Sequence, residues 1–196
     1  MNKVSAILLA AGKSERIGNS KQLLPFKDST IIETILGAFL NSYIVETIIV
    51  IRKDDLQLKK IVKNYRVKLC LNPYKESEMK DSVSLGLKMV NKNSRGIMVS
   101  PSDLPLITTS LINRLVENFN KNPQKIIIPV YEERRGHPTI FPIKYLKNLA
   151  GLKENIGLRE IIRKNSRNIE EVEIYDEAFL IDVDIYEDYL TILGRK

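Results

Sequence analysis

The feature that most constrains this chain is the regular alternation of short apolar runs with longer segments of helical periodicity. Two clear helical segments are residues 30–42 and 110–119, where apolar residues recur every three or four positions. The apolar runs are VSAILLA from Val4, ETIIVI from Glu46, VKLCL from Val67, GIMVS from Gly96 and KIIIPV from Lys125. Because strands that are apolar throughout are buried on both faces, the alternation predicts an α/β fold with a mostly parallel sheet between two helical layers.

Beyond Pro129 the alternation weakens. The polar stretch YEERRGHPTIF, residues 131–141, predicts a small β-hairpin arm between two extended runs. The remaining elements that we predict are helices at 144–149, 158–164 and 186–193 and strands at 169–174 and 179–183. The chain has no internal repeat and no linker rich in Gly, Pro or Ser, so we expect a single domain over residues 1–196.

Composition excludes several classes of protein. The net charge of +7 suits an anionic partner, but the basic residues are dispersed and Trp is absent, so we expect no nucleic-acid binding. No apolar stretch is long enough for a membrane span and no cleavable leader precedes the first strand, which favours a cytoplasmic protein without a membrane partner. The single cysteine, Cys70, is predicted to be a buried, inert thiol.

The loop after the first apolar run contains Gly-Lys-Ser, as phosphate-binding loops do. A P-loop would need a further glycine where Ile7 stands, and the glycine spacing of dinucleotide-binding loops is also missing. Small residues together with Lys13, Arg16 and Lys21 still suit an anion, because backbone N–H groups can approach it closely. An ordinary strand-to-helix turn with solvated lysines is an equally good interpretation.

Six motifs, in order along almost the whole chain, carry a more specific signal. They are LLAAGKSERIGNSKQLLPF (8–26), MKDSVSLGL (79–87), PSDLPLIT (101–108), RRGHPTIF (134–141), IGLREII (156–162) and DVDIYEDY (182–189). Together they resemble the nucleotidyltransferase family that contains the molybdenum cofactor cytidylyltransferases and guanylyltransferases. The resemblance implies a Rossmann-like three-layer α/β/α domain that uses Mg²⁺ to transfer a nucleoside monophosphate from a nucleoside triphosphate to a phosphorylated acceptor.

Two aspartates are candidate metal ligands. Asp103 follows an apolar run, where open α/β sheets bind ligands, but an isolated Asp there is also a common turn former or helix cap, and Thr108 is a competing cap. Asp184 precedes the last helix and would share a side with Asp182 on an extended segment. The resemblance implies that Asp103 and Asp184 hold the Mg²⁺.

The last motif departs from the family pattern at its helix start. Ile185 and Tyr186 stand where the family has Thr-Pro. Glu187 and Asp188 fall in the first helical turn, where acidic residues favour the helix dipole and need no catalytic role.

The resemblance assigns the remaining site residues to two sides of a cleft. On the acceptor side it implies His137 and Arg159. For His137 the alternatives are a general base and a turn residue beside Pro138, and for Arg159 an exposed helix arginine. For Ser82 the alternative is a helix cap, a role that Asp81 also suits. The nucleotide side comprises Leu9, Ala10, Ala11, Gly12, Lys21, Asn72 and Ser82. The catalytic group comprises Lys13, Arg16, Lys21 and Asp103, with Lys21 and Arg16 expected to be exposed and to contact the triphosphate.

The predicted reaction joins CTP to molybdopterin, because Leu-Ala-Ala-Gly at residues 9–12 accompanies cytidylyl transfer in the resembled family, whereas Leu-Ala-Gly-Gly accompanies guanylyl transfer. A client molybdoenzyme or its chaperone would be a further partner. The alternatives are a molybdopterin guanylyltransferase, a cytidylyltransferase for an isoprenoid or sugar precursor, and a noncatalytic nucleotide-binding module.

Overall fold

A computed structural model describes residues 3–12, 20–74, 76–152 and 157–194. The strands are β1 (Val4–Ala10), β2 (Pro25–Phe26), β3 (Ser29–Thr30), β4 (Glu46–Arg52), β5 (Lys68–Asn72), β6 (Gly96–Pro101), β7 (Ile126–Tyr131), β8 (Arg134–Arg135), β9 (Thr139–Pro142) and β10 (Ile169–Glu173). The α-helices are α1 (Ile31–Leu40), α2 (Leu56–Val62), α3 (Met79–Leu87), α4 (Thr109–Lys121), α5 (Leu146–Ala150), α6 (Leu158–Lys164) and α7 (Tyr186–Gly194). Within these ranges, none of the helices has both the length and the apolar character needed to cross a membrane.

The main sheet has the order β10-β7-β9-β6-β1-β4-β5, and β8 pairs with β7. The pairs β1–β4, β1–β6, β4–β5 and β7–β10 are parallel, whereas β9 runs antiparallel to both of its neighbours. The predicted mostly parallel sheet is therefore confirmed, with β9 reversed inside it and the short β8 reversed beside β7.

Helices cover both faces of the sheet, which confirms the three-layer arrangement. Strand β1 shows why its sequence is apolar throughout: Ala6 and Leu8 enter the core under α1, α2, α4 and α7, while Ile7 enters the core under α3, α5 and α6. Each strand residue thus loses contact with water whichever way it points, as in a parallel sheet buried on two sides.

Local signals explain where the helices begin. Thr30 caps α1 together with Glu33 in a capping box, and the hydroxyl of Thr108 accepts the backbone N–H of Leu111 (3.1 Å) at the start of α4. Since Thr108 supplies that cap, Asp103 has no capping role and its carboxylate is left for other contacts.

The predicted hairpin arm forms at β7–β8, around a two-residue turn in which Glu132 and Glu133 both have positive φ (46° and 64°). The predicted strand at residues 179–183 is wrong. Asp176 accepts the backbone N–H of Ala178 (2.9 Å) and starts a 3₁₀ turn at Glu177–Leu180, which buries Phe179 against the core.

The strand order changes direction at β1, which lies between β4 and β6. The carboxyl ends of β1 and β6 meet at this switch point, and crevices at such points are where open α/β sheets bind ligands. The reversal of β9 brings its amino end to the same edge. The carboxyl ends of β1 and β6 and the segment that precedes β9 therefore meet at one edge of the sheet, which we call the cleft.

Candidate active site

The centre of the cleft is a lysine placed between two aspartates. The Lys21 ammonium donates to Asp103 Oδ2 at 2.7 Å and to Asp184 Oδ1 at 3.0 Å. Lys21 lies in a 3₁₀ turn after the β1 loop, Asp103 follows β6, and Asp184 immediately precedes the last helical segment. The fold thus brings together three predicted site residues that are far apart in the sequence.

The expected exposure of Lys21 is wrong. Its side chain is only 12% exposed, because both carboxylates and the surrounding chain enclose it. Burial alone lowers the pKa of Lys21, but the charges and hydrogen bonds of Asp103 and Asp184 together outweigh burial and leave the pKa above its ordinary value. Lys21 is therefore charged at neutral pH and acts as the counter-ion of the two aspartates.

The aspartate pair fits a hard divalent cation. Asp103 Oδ1 is buried and has no hydrogen-bond partner among the residues that the structure describes, and the neighbouring cation shows that the pair accepts positive charge. Mg²⁺ prefers such oxygen donors and is commonly held by one or two carboxylates, with waters and substrate phosphates completing the shell. Within the described ranges there is no cluster of three or more His, Cys, Asp or Glu residues suited to a metal.

A third carboxylate adds negative charge nearby. The pKa of Asp182 is raised by partial desolvation and then by the charges of Asp103 and Asp184, while Lys21 acts in the opposite direction. The three aspartates therefore lie close enough to repel one another, and the site carries more negative charge than Lys21 alone neutralises.

A buried polar chain that the sequence analysis missed ties the β1 loop to the end of β6. Gln22, 2% exposed, donates to Ser102 Oγ (3.2 Å), and Ser102 donates to the backbone oxygen of Leu9 (2.9 Å). Gln22 and Ser102 adjoin Lys21 and Asp103 in the sequence, so these bonds fix the backbones that carry the ion pair. The sequence signal that could have identified them is their position: Gln22 follows Lys21, and Ser102 precedes Asp103.

The nucleotide-side candidates Asn72 and Ser82 are both buried and in contact with each other. Asn72 is 1% exposed; its amide donates to Ser77 (2.5 Å) and Ser82 (3.1 Å) and accepts the backbone N–H of Tyr74 (3.0 Å). With its side chain saturated in this way, Asn72 holds the β5–α3 loop in shape, and its direct contact with a nucleotide stays a prediction.

Helix α3 begins at Met79, earlier than the caps expected at Asp81 or Ser82. Asp81 instead accepts the backbone N–H of Glu78 at 2.9 Å, one turn before the expected start.

The remaining nucleotide-side residues line the exit of β1. Ala10 and Ala11 are buried (2% and 6% exposed), while Gly12 is exposed and a Cβ there would touch nothing within 4 Å. Their contacts with a nucleotide stay predictions. Lys13 and Arg16 lie outside the described residues, so their predicted catalytic roles are also untested.

The acceptor-side candidates lie beside Asp103. The peptide bond between His137 and Pro138 is cis, and His137 precedes β9 where that strand enters the sheet beside the end of β6. Burial lowers the pKa of His137, the charge of Asp103 opposes that shift, and the charge of Arg159, an exposed residue of α6, adds to it. The imidazole of His137 therefore favours its neutral form, with the charges of Asp103 and Arg159 acting on it in opposite directions.

We expect the titration of His137 to report this arrangement. His137 is the only histidine in the chain, so its ring-proton signals in NMR are unambiguous. Its pKa should lie below about 6.5, fall further in Asp103→Asn and rise in Arg159→Ala, because these changes remove an attractive and a repulsive charge respectively. If the pKa of His137 has its ordinary value and changes in neither variant, the three groups are not neighbours.

Gly136 shapes the same segment by close packing. A Cβ at this position would lie 2.5 Å from Phe179 and 2.6 Å from Leu180, inside the 3₁₀ turn of Glu177–Leu180. Since Phe179 is 2% exposed and cannot move aside freely, we expect Gly136→Ala to lower the free energy of unfolding by about 1 to 3 kcal/mol.

Urea denaturation measures that change, and Gly37→Ala is a matched control. Gly37 lies inside α1 with nothing within 4 Å of its would-be Cβ, so alanine there should stabilise the protein by about 0.5 to 1 kcal/mol. Equal effects of the two substitutions would contradict the packing argument.

Comparisons with known proteins agree with the fold. The sequence profile of the MobA-like NTP transferase domain matches residues 6–170. A 2-C-methyl-D-erythritol 4-phosphate cytidylyltransferase of Lachnoclostridium phytofermentans is 33% identical over 132 residues, which cover 65% of this chain and 56% of that protein. The alignment thus spans little more than half of that relative's length.

Two further similarities extend over the whole chain. The purine catabolism protein PucB of Bacillus subtilis is 26% identical over 194 residues, covering 93% of this chain and 92% of that protein. The crystal structure of Rv0371c from Mycobacterium tuberculosis in complex with manganese has a TM-score of 0.82 at 20% identity and covers 100% of both chains. At that level of identity the structural similarity concerns the fold.

Proposed function

This chain belongs to the family of MobA-like NTP transferase domains, and we propose that it is a metal-dependent nucleotidyltransferase that moves cytidine monophosphate from CTP to a phosphorylated acceptor. Molybdopterin is the proposed acceptor, and molybdopterin cytosine dinucleotide and pyrophosphate are the products. We place this activity in a single domain of residues 1–196 that works in the cytoplasm and passes its product to a client molybdoenzyme or its chaperone.

The observation that carries the proposal is the pair of aspartates bridged by Lys21 at the switch point of the sheet. The aspartate pair offers oxygen ligands for a metal, Lys21 offers positive charge, and the small residues after β1 offer backbone donors, which together are what a bound triphosphate requires. The manganese complex of Rv0371c supports a metal in a protein of this fold.

In the proposed reaction an acceptor phosphate oxygen attacks the α-phosphorus of CTP, and a new P–O bond forms. The bond from the α-phosphorus to the bridging oxygen breaks, and pyrophosphate leaves with the electron pair. A Mg²⁺ ion held by Asp103 and Asp184 would neutralise charge on the phosphate oxygens when bound. The chain itself needs no nucleophile, so its task is to position the two substrates and balance their charge.

Residues of the cleft divide this task. Lys21 would leave the aspartates and contact the triphosphate, and the backbone around Gly12 would approach the triphosphate oxygens. On the other side, Arg159 supplies a cation for the acceptor phosphate. Neutral His137 offers a hydrogen bond without adding charge. Lys13 and Arg16 are proposed to add further positive charge at the triphosphate.

A second acceptor has specific support. The relative with 33% identity is a cytidylyltransferase for 2-C-methyl-D-erythritol 4-phosphate, so a phosphorylated isoprenoid precursor is the alternative acceptor for the same site. It requires no change in the proposed roles of the aspartates or Lys21.

The direct test is pyrophosphate release from the purified protein with Mg²⁺, each nucleoside triphosphate and each acceptor in turn. We expect turnover that requires both CTP and molybdopterin, with GTP a poorer substrate. Turnover only with 2-C-methyl-D-erythritol 4-phosphate would show that this compound, and not molybdopterin, is the acceptor. A preference for GTP would show that the transferred nucleotide carries guanine and not cytosine. Nucleotide binding without turnover on any acceptor would favour a noncatalytic nucleotide-binding module.

A further inference from the structure

The carboxylate of Asp188 holds the backbone at Asp184 rather than only the end of a helix. Its Oδ2 atom accepts the backbone N–H groups of both Asp184 and Ile185, each at 2.9 Å. A side chain in the first turn that caps its helix needs only the second of these bonds. The first bond reaches one residue further back, to a proposed metal ligand.

The other side of Asp184 is also fixed. The backbone N–H of Val183 donates to the backbone oxygen of Asp103 at 2.9 Å, and Val183 is fully buried. In the same helix as Asp188, the hydroxyl of Tyr189 donates to the backbone oxygen of Pro25 at 2.8 Å. The segment that carries Asp184 is therefore tied to the segments that carry Asp103 and Lys21.

This restraint has a reason in the geometry of the site. The side chain of Asp184 is 40% exposed, more than the 18% of Asp103, so packing alone holds it less firmly. A short carboxylate can face a shared cation only if its backbone is fixed, since a rotation of the peptide moves both oxygens. A cap that includes the N–H of Asp184 prevents that rotation.

We propose that Asp188 is a positioning residue, which orients the Asp184 carboxylate towards the cation that it shares with Asp103. The inference rests on the proposed function, because it assigns the shared cation to a divalent metal during the reaction. The generic helix-dipole role expected from the sequence does not include this contact.

Three variants separate positioning from capping. Asp188→Ala removes the acceptor, and Asp188→Asn keeps one acceptor oxygen, which is sufficient because a single oxygen accepts both bonds. Asp55→Ala is the matched control, since Asp55 caps α2 by accepting the N–H of Leu58 (2.9 Å), at a different helix from the one that carries Asp188. Both alanine variants should lower Tm by a similar few degrees, about 2 to 4 °C.

The decisive readout is the Kd for Mn²⁺ with CTP present and no acceptor, measured by the enhancement of water-proton relaxation over a protein-free Mn²⁺–CTP solution. We expect about tenfold weaker binding in Asp188→Ala, as for other residues that orient metal ligands, and wild-type affinity in Asp188→Asn and Asp55→Ala. If Asp188→Ala does not fold, Asp188→Glu replaces it, because the longer side chain keeps the charge and displaces the oxygen.

The outcomes distinguish the two proposals. Wild-type Mn²⁺ affinity in Asp188→Ala would overturn the positioning role and leave the proposed function standing. Weakened binding in Asp55→Ala to the same extent would also overturn it, because general loss of stability would then suffice. A native protein that binds no Mn²⁺ with CTP would overturn the proposed function and this inference with it.

Discussion

Asp103→Asn should abolish most nucleotidyl transfer while leaving the fold intact. The substitution keeps the shape of the side chain but removes one of the two charges that face Lys21 and the proposed metal. Loss of a group that stabilises charge in the transition state costs about 2.7 to 4 kcal/mol, so kcat/KM for CTP should fall roughly a hundred- to a thousandfold. Pyrophosphate release measures the loss, and circular dichroism checks the fold.

A matched control is available at the opposite edge of the sheet. Glu46 begins β4, its side chain is 11% exposed, and it pairs with Lys68 at 2.6 Å, so it resembles Asp103 in burial and in partner. Glu46→Gln should lower stability without reducing turnover. Normal turnover by Asp103→Asn, or an equal loss of turnover in Glu46→Gln, would refute the assigned role of Asp103.

Lys21→Met should have opposite effects on metal binding and on turnover. Without the ammonium, the carboxylates of Asp103 and Asp184 lose one neighbouring positive charge, so Mn²⁺ should bind in the absence of nucleotide about tenfold more tightly, a change of about 1.4 kcal/mol. Turnover with CTP should fall about a hundredfold or more, because the triphosphate loses a cation. EPR measures the first effect and pyrophosphate release the second.

Stability supplies an additional readout for this variant. Because the Lys21 side chain is 12% exposed, its loss removes an enclosed positive charge from beside the two carboxylates and should lower Tm, and added Mn²⁺ should restore it. Lys68→Met removes a comparable ion pair with Glu46 and should change Tm without changing Mn²⁺ affinity. Equal Mn²⁺ affinities in the wild type and Lys21→Met would show that the lysine and the metal do not share a position.

The sequence was sufficient for the architecture because the signal for it is repeated. The buried strands β1, β4, β6 and β7 are each an apolar run, and clear helical periodicity lies between them, so no single element decides the fold. The prediction of a strand at residues 179–183 is wrong because the spacing of its apolar residues also fits a turn. The hydrogen bond that Asp176 accepts at the start of this segment favours the turn. Such a choice depends on one hydrogen bond and leaves little trace in a hydrophobic pattern.

The candidate site, too, could be predicted from the sequence only in part. Residues directly after strands, such as Asp103, could be placed at the cleft because strand ends fix their position. That Lys21 would lie between Asp103 and Asp184 could not be predicted, because 82 and 163 residues separate the partners and only the folded chain sets their distance. The saturation of Asn72 and the second bond of Asp188 depend likewise on tertiary geometry.

The reversed strand β9 has a consequence for how proteins of this architecture can diversify. Loops at the cleft normally follow strands, but the segment from Glu132 to Pro138 reaches it by preceding one. Within this segment β8 pairs with β7, and directly after it β9 pairs with β6 and β7. Neither β8 nor β9 is the strand that leads into the β1 loop. We therefore expect that lengthening or replacing this segment changes which acceptor is bound and leaves the triphosphate end of the cleft unchanged.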